Sequence, residues 1–104
     1  MIFFHLTGEM DLGEDLVPEV MLNDTDARAL RELLNLPDTQ RTVNGLDLLK
    51  VLERCEFLVE NPFYVESQTG GWDSVALGAL NATLKEMHEL LYFAKVAGCG
   101  IAWS

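Results

Sequence analysis

Ile2, Phe4 and Leu6 alternate with Phe3, His5 and Thr7. That period of two predicts a half-buried strand. Gly8 ends it, and residues 9–15 (Glu-Met-Asp-Leu-Gly-Glu-Asp) are too charged to pack, so they predict an exposed loop. Residues 16–22 give a second strand. Its Pro18 has no N–H to donate, which places the strand at a sheet edge or delays its start. Asn23-Asp24-Thr25-Asp26 then supplies N-cap side chains and acids suited to the positive end of a helix. Ala27, Leu30, Leu33 and Leu34 share a face of that helix, and Leu36-Pro37-Asp38 stops it.

A second helix is expected after Asn44-Gly45, with Leu46, Leu48, Leu49, Leu52 and Cys55 as its apolar stripe. Its end is open, because Phe57-Leu58-Val59 suits a last turn or a strand equally. Asn61-Pro62 is a turn signal, and residues 63–67 predict a third strand. Gly70-Gly71 breaks the chain, and Asp73 or Ser74 can cap a long helix running to about Ala97. Leu77, Leu80, Leu84, Met87, Leu91 and Ala94 step by three and four along it, the spacing of one helix face. Lys95 suits the negative end, Gly98 fits the position just past it, and Cys99, Ile101 and Trp103 alternate as a final strand. The order β-β-α-α-β-α-β predicts an α+β domain with a single mixed sheet. Helices would cover one face, and a C-terminal β-α-β crossover would join two parallel strands.

The chain has 104 residues, the size of one domain, and 49% hydrophobic composition supplies one core. Charge changes the picture more. Seventeen Asp and Glu against seven Lys and Arg give a formal net charge of −10. Such a body repels polyanions and anionic lipid, so nucleic-acid binding through phosphates and membrane adsorption are both disfavoured. The apolar start lacks a basic leader and no run reaches the length of a bilayer span, so a cytoplasmic protein is expected. The triplets Asn23-Asp24-Thr25 and Asn81-Ala82-Thr83 are then chance glycosylation matches. Cys55 and Cys99 do not make a disulfide framework and read as small apolar side chains.

No stretch carries a recognised catalytic or cofactor motif, and each candidate has a plainer reading beside it. Glu86, His88 and Glu89 offer metal-type donors but lack the second histidine of the zinc-protease signature. A solvated helix flank with Lys85 paired to Glu89 is the simpler account. The acidic loop around Gly13 offers hard oxygen ligands for calcium, yet departs from the EF-hand order. Any Cys–His dyad would be one of four pairings that no local signature selects. Cys99 also follows a helix C-terminus, the wrong end for a reactive thiolate. Residues 67–74 place Gly70-Gly71 before a helix N-terminus, but Asp73 stands where a phosphate would go. Trp72 is either tucked over the core edge or offered to a partner. No cofactor and no metal site is therefore assigned, and an enzyme is the less favoured class.

What remains is where the charges fall. Residues 1–26 hold seven acids and no Lys or Arg, and residues 55–84 hold four more acids, again with no base. Salt adaptation explains this poorly, given the ample apolar content. The leading expectation is a small acidic domain that docks a basic protein surface, as immunity proteins and inhibitors of basic nucleases or toxins do. Its contact surface would be Glu9, Asp11, Glu14, Asp15, Glu66, Trp72 and Asp73, with the acids steering and Trp72 anchoring. Mimicry of a DNA backbone is a variant of that class. A second class is a small-ligand binder or enzyme using the Gly70-Gly71-Trp72 loop, with Ser67, Thr69, Asp73 and His88 around a pocket. A third is a homo-oligomer, such as a dimer joined through the edge strand at 16–22.

Overall fold

The computed structural model describes residues 1–7, 19–36 and 40–104. It is an α+β domain whose four strands, β1 (Ile2–Leu6), β2 (Val20–Leu22), β3 (Thr42–Val43) and β4 (Ile101–Trp103), form one sheet in the order β2-β1-β4-β3. Four helices accompany it: α1 (Asp24–Leu33), α2 (Gly45–Glu60), α3 (Pro62–Thr69) and α4 (Ser74–Ala97).

The period of two at the N-terminus does what it predicts. Phe4 and Leu6 of β1 point into the core with Val20 and Leu22, Ile101 and Trp103, and Val43 from the other strands. Phe3, His5, Met21 and Ala102 face the other way and are half-buried or exposed. The register fixes this division, because Phe4 lies opposite both Val20 and Trp103. A slip of one residue would turn every core side chain outward.

The sheet differs from the expected mixed one, since all its described pairings are antiparallel. The expected C-terminal β-α-β crossover does not form, because residues 63–67 belong to helix α3. Pro62 sits at the first helical position with its φ already suited, and Gly70 ends the helix at φ 66. Local β preference in Phe-Tyr-Val loses to packing that buries Val65. Asn61-Pro62 is thus a joint between two helices, where the Asn61 amide donates to the Phe57 carbonyl at 2.8 Å. The place beside β4 goes to Thr42-Val43, a pair too short to leave a periodic trace. The second strand is shorter than expected but lies at a sheet edge, as Pro18 requires; Pro18 itself falls outside the described residues.

Helix ends follow local chemistry. Asn23 accepts from the Asp26 amide at 2.8 Å and starts α1. The stop expected from Pro37 is made earlier, by Asn35 at φ 57. The Asn35 N–H donates to Glu32 and the Leu36 N–H to Arg31, a reverse turn that satisfies the last carbonyls. Gly98 and Cys99 repeat it at the end of α4, with N–H groups donating to Lys95 and Ala94.

Helix α4 is the spine. Leu80, Leu84, Met87, Leu90, Leu91 and Ala94 are buried along it, against Leu48, Val51, Leu52, Cys55 and Leu58 of α2. The two helices run antiparallel. Cys55 lies against Leu84, Glu56 against His88, and Leu46 and Leu49 share a groove with Lys95 and Cys99. No polar or charged side chain is buried among the described residues. No helix there is long and apolar enough to cross a membrane.

Two glycines separate packing from helix propensity. A Cβ on Gly100, at the start of β4, would collide with the Val43 carbonyl oxygen and come within 2.8 Å of Asn44 Cβ. A Cβ on Gly78, inside α4, would meet nothing within 4 Å. Gly100→Ala is expected to destabilise the fold by about 2 kcal/mol or more. Gly78→Ala should stabilise it by up to about 1 kcal/mol. Urea unfolding of the two variants beside the parent checks both signs.

Candidate functional site

The sequence-expected contact residues divide three ways. Glu9, Asp11, Glu14 and Asp15 lie outside the described residues. Glu66 is exposed on α3. Asp73 is exposed too, but its carboxylate caps α4, where Oδ1 accepts from the Ala76 N–H at 2.8 Å. Trp72 is half-buried and packs against the core edge. The aromatic side chain this region fully presents to solvent is instead Phe63, 84% exposed and three residues before Glu66 on the same helix.

The remaining candidates are equally particular. His88 Nε2 lies 3.3 Å from Glu56 Oε1, across the seam between α4 and α2. Lys85 and Glu89 do not form the expected pair within ion-pair distance. Among the described residues no three His, Cys, Asp or Glu side chains come together as a metal site. Neither cysteine is in a disulfide. Cys55 is buried, with its Sγ 3.4 Å from the Leu84 carbonyl. Burial, helped by the charge of Glu56, pushes its thiol from 9.0 up to about 12. A group so far from ionising is no nucleophile at neutral pH.

Sequence reasoning missed Arg54. From the middle of α2 its Nε donates to the Leu33 carbonyl at 2.9 Å, one of the orphan acceptors at the end of α1. Its Nη2 donates to the Tyr64 hydroxyl at 3.0 Å. The guanidinium also stacks on two rings, 5.4 Å from the centre of Phe57 and 5.1 Å from that of Tyr64. Those rings meet edge to face at 5.2 Å. One cation thereby ties α1, α2 and α3 together. Residues 33, 54, 57 and 64 share no period, so only Arg54 and Phe57, three apart on one helix, could have hinted at it.

Beside Arg54, α1 and α3 leave a cleft of about 380 Å³ reaching from Arg28 and Glu32 past Tyr64 to Thr69 and Trp72. The cleft adjoins the Gly70-Gly71-Trp72 loop, but it is not the pocket expected there, and neither Gly70 nor Gly71 lines it. Thr69 and Trp72 line it, whereas Ser67, Asp73 and His88 do not. Its charged side chains come from α1 and α2. No family model, curated protein or solved structure matches the chain.

The position of Cys55 has a consequence for stability. With its folded-state value raised above 9.0, the protonated thiol favours the folded form. That contribution is complete below pH 9 and is lost as pH rises toward 12, by about 1.4 kcal/mol per pH unit. Cys55→Ala should remove this part of the alkaline slope, whatever it does to stability at neutral pH. Urea unfolding of both proteins at about pH 7 and about pH 10.5 measures the difference.

Proposed function

We propose that this protein is a small acidic protein-binding domain that docks a basic partner, in the manner of an immunity protein or an inhibitor of a basic nuclease or toxin. The observation that carries the reading is Phe63. A large aromatic side chain left 84% exposed, one helical turn from the exposed carboxylate of Glu66, is costly to leave in water and suits an interface anchor.

Electrostatics support it. With no charged side chain buried among the described residues, the charge those residues carry is displayed and not hidden. Glu53, Glu56 and Glu60 of α2, Glu66 of α3 and Glu86 and Glu89 of α4 are all exposed. Arg54, the base nearest to them in α2, bonds to the neutral Leu33 carbonyl and Tyr64 hydroxyl and forms no ion pair with them. Such a field speeds encounter with a cationic surface and weakens as salt rises. Two free thiols suit a reducing, cytoplasmic setting. Anchoring in this reading moves from Trp72, which packs on the core edge, to Phe63.

A salt-resolved pull-down from the source cell tests the proposal, with the full chain as bait and Phe63→Ala and Glu66→Lys beside it. The expected result is a basic protein retained at low salt by the parent and lost with either variant. Because Phe63 is so exposed, its replacement should change stability by no more than about 0.5 kcal/mol. Retention of the same proteins by parent and Phe63→Ala, or of none by the parent, would count against the reading.

A further inference from the structure

We propose that the cleft between α1 and α3 binds a small planar monocarboxylate, a binding site separate from any protein-docking role. Arg54 is the reason. A guanidinium has five N–H donors in a rigid fork, and the bonds to Leu33 and Tyr64 engage two of them. The remaining donors are held in place by those two bonds and by the edge-to-face pair of Phe57 and Tyr64 rings against which the group rests. Most of the freedom that an arginine loses on gripping a ligand is thus already lost in the free protein, which is what preorganised recognition requires. A fork so fixed matches the two oxygens of a carboxylate.

Charge selects the valence of the ligand. Arg28 and Arg54 line the cleft and Glu32 opposes them, which leaves one positive charge in excess. A single carboxylate neutralises it. A phosphate dianion would meet Glu32 and, beyond it, the field of a molecule carrying −10. The walls select shape. Tyr64 and Trp72 supply aromatic lining, and about 380 Å³ lies near the lower end of ligand pockets, enough for one ring.

The test uses the full-length protein and three probes: benzoate, its neutral isostere benzamide, and inorganic phosphate. The readout is the indole N–H resonance of Trp72, assigned by its loss in Trp72→Phe. Benzoate should shift it saturably, with a Kd on the order of 1 mM for so few atoms. Benzamide and phosphate should each bind about tenfold more weakly. Arg54→Lys, which keeps the charge and loses the fork, should weaken benzoate about tenfold and leave benzamide unchanged. Arg54 also joins three helices, so Arg28→Gln at an exposed position provides a variant that folds and should weaken benzoate several-fold. Equal affinity for benzoate and benzamide would overturn the proposal, as would full benzoate affinity in Arg28→Gln and Arg54→Lys alike. Absence of any saturable shift would do the same.

Discussion

The antiparallel seam between α2 and α4 is the constraint from which the rest follows. Leu84, Met87 and Leu91 from one helix and Leu52, Cys55 and Leu58 from the other are all but inaccessible to solvent. Burying such side chains contributes roughly 1.5–3 kcal/mol each before entropy is counted. The sheet lays Phe4, Ile101 and Trp103 on the same cluster, and α1 adds Leu30 and Leu33. A seam this apolar admits no charge. The same burial that makes the fold therefore drives the charged side chains outward, and the acidic surface is the counterpart of the core.

That surface is not evenly furnished with bases to match. Arg54 illustrates why: the short helix α3 presents one fully buried side chain, Val65, and is held largely by the clamp that Arg54 makes with Tyr64 and Leu33. A half-buried cation used to join three helices bonds to neutral groups and forms no ion pair with the exposed carboxylates of α2. Structure and charge are linked at that residue. The clamp also shapes the cleft next to it, so one side chain bears on the fold, the surface field and the proposed ligand site.

How far the sequence could be read depended on periodicity. The last helix was legible because its apolar residues step by three and four over nearly five turns, and its expected cap and end agree with Ser74–Ala97. Strand β1 was legible from the alternation of Phe4 and Leu6 with Phe3 and His5. Residues 63–67 misled because Phe-Tyr-Val suits a strand locally, while Pro62 and Gly70, which bound a helix, also read as turn residues. Thr42-Val43 is too short to show any period. The clamp around Arg54 was invisible for a different reason: its members are neighbours only after three helices have folded. Of the expected contact residues, Trp72 proved half-buried and Phe63, hidden inside a supposed strand, proved exposed.

The central claim is that, among the described residues, most exposed carboxylates have no ion-pair partner, Asp24 with the N-terminus and Glu56 with His88 being the exceptions. Ionic strength distinguishes this directly, because screening relieves repulsion between unpaired like charges and weakens surface ion pairs. Unfolding free energy at about pH 7 should be measured by urea titration from about 0.05 to about 0.5 M NaCl, a range in which the screening length shrinks about threefold. The account predicts that stability rises with salt. A steady fall would contradict it, since it would mean that the acids are held in ion pairs at home and have little field to offer a partner.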